Sequence, residues 1–271
     1  MRPLTRAAAF ALGAVAGYAA DARFADPRRG HPVALFGSAA TRTVLGGTSL
    51  TREARTIGRS LAAGDLTAAR ERLPHLCGRD PSALDGQQIA RAVVESVAEN
   101  TADAVVNALT WGTLAGTPGL LAFRAVNTLD AMVGHRSPRY GRFGWASARL
   151  DDVAGWPGAR LTALLTVAAA PEPRTAWRVW RRDGSAHPSP NAGQAESAFA
   201  GAVGVRLGGT LTYGKRVEHR PVLGRELRPV TVDDIERACT LSRRVGALAL
   251  GTTVAGHVLL RALFGKRRAQ A

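Results

Sequence analysis

Three blocks of this chain carry side chains whose types and spacing could do chemistry. In the first, "ARAVVESVAENTADAVVNAL", Arg91, Glu95, Glu99, Asp103 and Asn107 recur every four residues. At 100° per residue these five share one side of a helix. Two readings stand. The stripe is either a solvated face in which Arg91 and Glu95 form an i, i+4 pair, or a row of ionisable groups that can hold a hard cation or move a proton. The second block, "FRAVNTLDAMVGHRSPRYGRFGWASARLDD", presents Arg124, Asn127, Asp130, His135, Arg136, Arg149, Asp151 and Asp152 among glycines and aromatics. A loop between helices has to be polar, but it does not need this variety of acids, bases and amides. On a helix Arg124 and Asn127 lie about 60° apart and Asp130 about a further 60° round, so the three cover one broad side. Arg124 and Asp130 are expected to serve different partners, although mutual neutralisation is the alternative. The third block, "RRDGSAHPSPNAGQAESAFAGAVGVRLGGTLTYG", pairs Ser189 with Pro190. That pair predicts an N-cap and first helical position, which would aim backbone N–H groups at an anion. Gly201, Gly204 and Gly208 predict close helix packing, and Gly208 with Gly209 predicts the helix stop. A loop that only caps a helix is the alternative.

The elements that must position these groups are mostly helical and partly apolar. Ala104–Phe123 has no charged residue and is about as long as a helix needs to cross a bilayer core of roughly 30 Å. Val245–Leu260 is a second such run, and Ala7–Ala20 and Leu161–Ala170 are weaker, Ala-rich candidates. Buried helices of a soluble protein would share this pattern, but the expectation drawn is an all-α, multi-pass integral membrane protein. Arg2, Arg6 and "YAADA" imitate a secretory signal. Further apolar runs follow, so the expectation is an uncleaved first membrane helix. The basic tail Arg261–Arg268 predicts a cytoplasmic C-terminus. Between the runs, "SLTREARTIGRSLAAGDLTAARERLPHL" predicts two short helices with a turn at Gly64 and Asp65.

Lys and Arg number 36 against 21 Asp and Glu, a net charge of +15, yet 46% of residues are hydrophobic. That combination argues against a disordered basic tail and for separate apolar and cationic segments. The bases are scattered among acids rather than gathered in a stripe with stacking aromatics, which argues against nucleic acid. Cys77 and Cys239 are the only cysteines, too few for a disulfide framework or a zinc cluster, and are read as two reduced thiols. With no clear linker or fixed-period repeat, residues 1–271 are treated as one domain.

The blocks "ESVAENTADAVV", "AFRAVNTLDAMVGHRSPRYGRFGWASARLDDV" and "HPSPNAGQAESAFAGAVGVRLGG", with "DPRRGHPVALFG" near the N-terminus, resemble the signature motifs of the adenosylcobinamide-phosphate synthase family of cobalamin biosynthesis, CobD/CbiB. What the resemblance implies is a multi-pass protein of the cell membrane. Such a protein joins a side-chain carboxylate of a corrinoid, adenosylcobyric acid, to (R)-1-amino-2-propanol or its O-phosphate. The polar blocks at the helix ends would then form one cytoplasmic-facing site. Other cobalamin-assembly membrane proteins are possible partners, and a transporter or scaffold of the same pathway is the alternative function. Three departures from the family pattern stand out. Region 33–50 is shortened, as if a membrane helix were reduced or lost. Ala104 stands where Gly is common, and "NAGQAES" differs from the usual continuation.

A carboxylate does not condense with an amine in water at pH 7 without activation, normally phosphorylation by ATP. The implied cofactors are therefore ATP and Mg²⁺, although no Walker-type loop is visible. Glu95, Glu99, Asp103, Asp130 and His135 are the candidates for metal, base or proton chemistry, and Asp151 and Asp152 for metal ligation. The candidates for substrate contact are Asn100, Arg124, Asn127, Arg136, Arg149, His187, Ser189, Asn191, Glu196 and Arg206, among which guanidinium groups suit phosphate and carboxylate.

Overall fold

A computed structural model describes Val15, Ala19 and residues 45–134, 141–213 and 216–267. The described chain is predominantly helical. Helices α1 (Gly47–Ala62) and α2 (Leu66–Arg72) are followed by a 3₁₀ turn (Leu73–His75) and α3 (Gly86–Thr101). A π-helical turn (Ala102–Val106) leads into α4 (Asn107–Val133). Then come α5 (Gly141–Ala169), α6 (Pro173–Asp183), α7 (Ala192–Val203), strands β1 (Leu207–Tyr213) and β2 (Arg216–Leu223), and α8 (Asp233–Arg267). The antiparallel hairpin departs from the all-α expectation. Its signal was the alternation in "LGGTLTY", which the third block had absorbed into a helix and its stop.

The residues fall into two compact units. Unit 2 comprises residues 47–102 and 159–245. The expected turn at Gly64 is present, with φ +76°, and the Asp65 side chain caps α2 by accepting from Ala68 N–H. Asp85 and Gln88 form a reciprocal capping box that starts α3, and the inner face of α3 buries Ile89, Val93, Val94 and Val97. Helix α7 packs on α6 through Gly201, where a methyl group would lie 2.7 Å from Ala176 Cα. The start of α8 is anchored by Asp234, whose fully buried carboxylate takes both guanidinium nitrogens of Arg228 at 2.7 Å and the backbone and hydroxyl of Thr231. Cys239 is buried on the same helix, and desolvation pushes its thiol up to about 12. Cys77 is likewise a free thiol.

Unit 1 comprises residues 1–46, 103–158 and 246–271. Its helices are tied by Trp111 Nε1, which donates to the Ala154 carbonyl at 2.8 Å, and by Thr113 Oγ1, which donates to the Thr253 carbonyl at 3.1 Å. Among the described residues no helix is long and apolar enough to cross a membrane. The segments Ala104–Phe123, Leu161–Ala170 and Val245–Leu260 are helical as expected, but the first is not one continuous apolar rod. Gly116 sits at φ 69°, ψ −159°, and Pro118 follows, so the helix breaks where a Pro would remove a backbone bond. Ala7–Ala20, apart from Val15 and Ala19, and residues 33–44 of the shortened region lie outside the described residues.

Candidate active site

The first polar block is divided: Glu95 and Asn107 are buried, Arg91 and Asp103 half-buried, and Glu99 exposed. Glu95 and Glu196 are 2% and 3% exposed. Glu95 Oε2 accepts from Arg79, and its Oε1 accepts the Gly208 N–H at 2.7 Å. Gly208 makes that approach at φ +75°, with a methyl group excluded by the Pro221 carbonyl. One carboxylate on α3 thus holds both a loop arginine and the hairpin. Arg91, one turn earlier, lies 3.9 Å from Glu95 and donates to the Thr210 carbonyl at 3.0 Å. Glu99 is exposed, and Asn100 turns back on its own helix, donating to the Ser96 carbonyl at 2.9 Å.

Glu196 projects from α7 into the same buried cluster. Burial, reinforced by the negative charges of Glu95 and Glu99, holds its carboxyl well above the usual range, against the opposing pull of Arg220 and Arg79. His187 lies beside it, with Nε2 3.9 Å from Glu196 Oε1. The closer of two contacts at His187 Nδ1 is the Ser189 N–H at 3.0 Å, against 3.4 Å for the Ser189 carbonyl. Nε2 in turn lies 3.4 Å from a guanidinium nitrogen of Arg220, which can only donate, so both ring nitrogens of His187 face donors. Burial, then the charge of Arg220, lowers the basicity of His187, so the imidazole is neutral at pH 7. The cluster thus sets Arg79 and Arg91 on Glu95 and Arg220 beside His187, and it favours the protonated form of Glu196 and the neutral form of His187.

The third block departs from its expected capping. The helix begins at Ala192 with Asn191 in the N-cap place, two residues later than Ser189–Pro190 predicts. Ser189 nevertheless caps, because its hydroxyl accepts from Asn191 N–H at 3.3 Å and Ala192 N–H at 3.1 Å. Asn191 Oδ1 accepts from Arg160 at 3.0 Å. The helix stops at Gly204, φ +77°, not at Gly208 and Gly209, which belong to the β1 bulge. Arg206 is exposed next to that bulge.

The second block lies in unit 1 and is built differently. Arg124 donates to Asn127 Oδ1 at 2.9 Å, and Asn127 Nδ2 donates to Asp151 Oδ1 at 3.3 Å, linking α4 to α5. Asp103 acts electrostatically on Arg124. Asp130 holds the end of α4, where its backbone carbonyl accepts Gly134 N–H at 2.7 Å. Arg149 and Asp152 form an exposed pair at 3.6 Å. Asp151 and Asp152, adjacent on one helix, point about 100° apart, and among the described residues no three His, Cys, Asp or Glu gather as a metal cage. The expected metal pair is thus engaged by an amide on one side and an arginine on the other. Asn107 is fully buried, and neither its amide oxygen nor its nitrogen has a hydrogen-bond partner. It lies over Gly158, where a methyl group would come within 2.7 Å of Asn107 Cα. His135 and Arg136 lie outside the described residues.

Sequence reasoning missed Arg79, Arg160 and Arg220. Arg79 sits in the aperiodic loop "LCGRDPS" and Arg160 at the edge of an apolar run, so spacing gave neither a role. Arg220 depends on the hairpin, and only a strand reading of that segment could have found it.

The model of the CobD/Cbib protein family matches residues 38–242. A relative from Mycobacterium tuberculosis (strain CDC 1551 / Oshkosh), named cobalamin biosynthesis protein CobD, is 46% identical over 290 residues, covering 88% of this chain and 92% of its own. Relatives of the same name are 46% identical in Rhodobacter capsulatus, over 74% of this chain and 64% of theirs, and 44% identical in Yersinia enterocolitica, over 80% and 70%. No solved structure matches the chain.

Proposed function

The chain belongs to the CobD/Cbib family and acts in cobalamin biosynthesis, and from that premise we propose that it forms the amide bond between a corrinoid side-chain carboxylate and aminopropanol or its O-phosphate. The observation that carries the proposal is the buried Glu196, whose carboxyl is pushed toward its protonated form by burial and which lies 3.9 Å from His187. Amide formation needs a group that can accept the ammonium proton as the nitrogen attacks. An entering ammonium adds the positive charge that favours ionised Glu196: its carboxyl proton leaves to solvent as the ammonium docks, and the carboxylate so formed takes the proton that the nitrogen loses as the amide forms. His187, held by Ser189 at Nδ1 and by Arg220 at Nε2, stands 3.9 Å from that carboxylate. Arg220 offsets the charge that develops.

Activation of the corrinoid carboxylate belongs to the proposal as a requirement of the chemistry. ATP with Mg²⁺ would supply it by converting the carboxylate oxygen into a phosphate leaving group. Mg²⁺ is commonly held by one or two carboxylates together with substrate phosphates. Among the described residues no three His, Cys, Asp or Glu side chains form a metal cage for it.

Membrane attachment is part of the same proposal. It is supported by the large apolar side chains that the long helices of unit 1 leave exposed, among them Leu114, Met132, Trp145, Val153, Trp156 and Leu259. Trp suits the interfacial level of a bilayer, and the basic C-terminal residues suit its cytoplasmic side. The protein is expected in the pellet after alkaline carbonate washing, and release into the supernatant would remove this part. The enzymatic part is tested by complementation of a strain lacking this step. Growth on cobyric acid is expected with the intact gene, whereas growth on cobinamide alone would contradict the assigned reaction.

A further inference from the structure

Unit 2 contains three cavities of note, and they differ in charge. The largest, about 580 Å³ between α1 and the start of α8, is lined by Arg55 and Glu236, which already neutralise one another through two bonds of 2.6 and 2.7 Å. A second, about 500 Å³, has Arg237 and Arg244 in its lining but also Glu172 and Glu236. The third is a cleft of about 150 Å³ between the first turns of α3 and the Gly208–Gly209 bulge, and its lining holds Arg91, Arg206, Gln87 and Gln88 with no acidic residue.

We propose that this small cleft is a phosphate subsite, taking either a phosphate monoester or the terminal phosphate of a nucleotide. Its size fits one anionic group, since pockets for whole drug-sized molecules run to about 300–1,000 Å³. Arg91 brings unused donors to it. Glu95, its nearest acid, is taken by Arg79 and the Gly208 N–H, and Arg91 Nε is buried with no hydrogen-bond partner. Gly209, at φ +86°, turns the bulge against the Arg91 guanidinium, whose Nη1 would be in ordinary contact, at 3.5 Å, with a methyl group placed there. Arg206 adds a second guanidinium from the rim. Gln88 spends its amide oxygen on the Asp85 N–H at 2.9 Å, so its remaining polar group is an NH₂ donor. The positive end of α3 adds to the same field. A planar fork of donors with no competing carboxylate in the lining is what phosphate recognition asks for.

The subsite rests on the proposed function only for which molecule carries the phosphate. Binding of inorganic phosphate to the full-length protein, measured by calorimetry, is therefore the first arm. Arg206→Gln is expected to weaken it about tenfold, the 1.4 kcal/mol of one lost charge-assisted bond. Arg91→Lys, which keeps the charge and loses the fork, is expected to weaken it as well. Arg225→Gln, an exposed arginine outside the lining, is expected to leave it unchanged. Equal affinity in wild type and Arg206→Gln would overturn the subsite, as would an equal loss in Arg225→Gln. The second arm compares KM for phosphorylated amine, free amine and ATP in Arg206→Gln. A rise confined to the phosphorylated amine assigns its phosphate to the cleft, and a rise confined to ATP assigns the nucleotide's. No rise in either, with phosphate binding lost, would overturn the cleft's part in the reaction. If wild-type protein makes no amide at all, the reaction assignment fails while the binding arm still decides the cleft.

Discussion

The buried cluster of unit 2 and the polar helix faces of unit 1 use the same residue types for opposite ends. In unit 2, Arg79, Glu95, His187, Glu196 and Arg220 come from two loops, α3, α7 and β2 into a cluster whose two glutamates are buried, where burial and neighbouring charges push Glu196 up and His187 down. In unit 1, Arg124, Asn127 and Asp151 form a chain of side-chain bonds, and Arg149 with Asp152 an exposed pair. Desolvation multiplies electrostatic coupling and solvent damps it. A carboxylate in the first setting can be chemically poised, whereas one in the second mainly orients and solubilises.

The largest expected effect falls on the centre of unit 2. Glu196→Gln should lower amide formation by about 10²–10⁴-fold, the range for losing one proton-transferring group. The same substitution should not destabilise the fold. Glu196 titrates higher in the folded protein than in the unfolded chain. Its contribution to stability is therefore fully present below the ordinary glutamate range and is lost as pH rises through the raised value. Glutamine removes that dependence, so the variant's thermal midpoint at pH 7 to 8 should equal or exceed wild type, by roughly 2–4 °C per kcal/mol recovered. A lower midpoint would make Glu196 a structural residue.

Next in size is the pair that balances it. Arg79→Met leaves the buried Glu95 with only Arg91, 3.9 Å away, to offset its charge, and should cost up to about 3–5 kcal/mol in denaturant unfolding. Adding Glu95→Gln, which keeps an acceptor for the Gly208 N–H, should recover part of that loss. An additive double variant would mean the two side chains are not coupled.

In unit 1 the expected effects are smaller and steric. Gly158→Ala pushes a methyl group into Asn107 and should cost about 1–3 kcal/mol, with partial relief in the Gly158→Ala, Asn107→Ala double variant. Smallest of all, Arg149→Ala removes only an exposed pair and should change stability by no more than about 0.5 kcal/mol. A loss of growth without a loss of stability would then point to substrate contact at Arg149, and would raise unit 1 to the chemical standing of unit 2.

The same contrast explains what could be read from the sequence. Periodicity is a local signal, and it located α3, the turn at Gly64 and Asp65, and the stripe that places Glu95 on one side of its helix. It could not tell a solvated stripe from a buried one, because burial of Glu95 depends on Arg79 and Gly208, 16 and 113 residues away in the chain. The π-helical turn at Ala102–Val106 also interrupts the four-residue register between Glu99 and Asn107, and no spacing argument anticipates that extra residue. The third block holds both Glu196 and His187, which the fold brings to within 3.9 Å of one another. Its last residues were misassigned because glycines that stop a helix and glycines that bend a strand look alike in sequence.

The account turns on a proton held in reserve on Glu196. Infrared difference spectroscopy of the full-length protein reads that proton directly, through the carbonyl stretch of a protonated carboxyl group. A band present at pH 7 in wild type and missing in Glu196→Gln is the predicted result. A wild-type spectrum without it at pH 7, or a band that survives the substitution, would contradict the account.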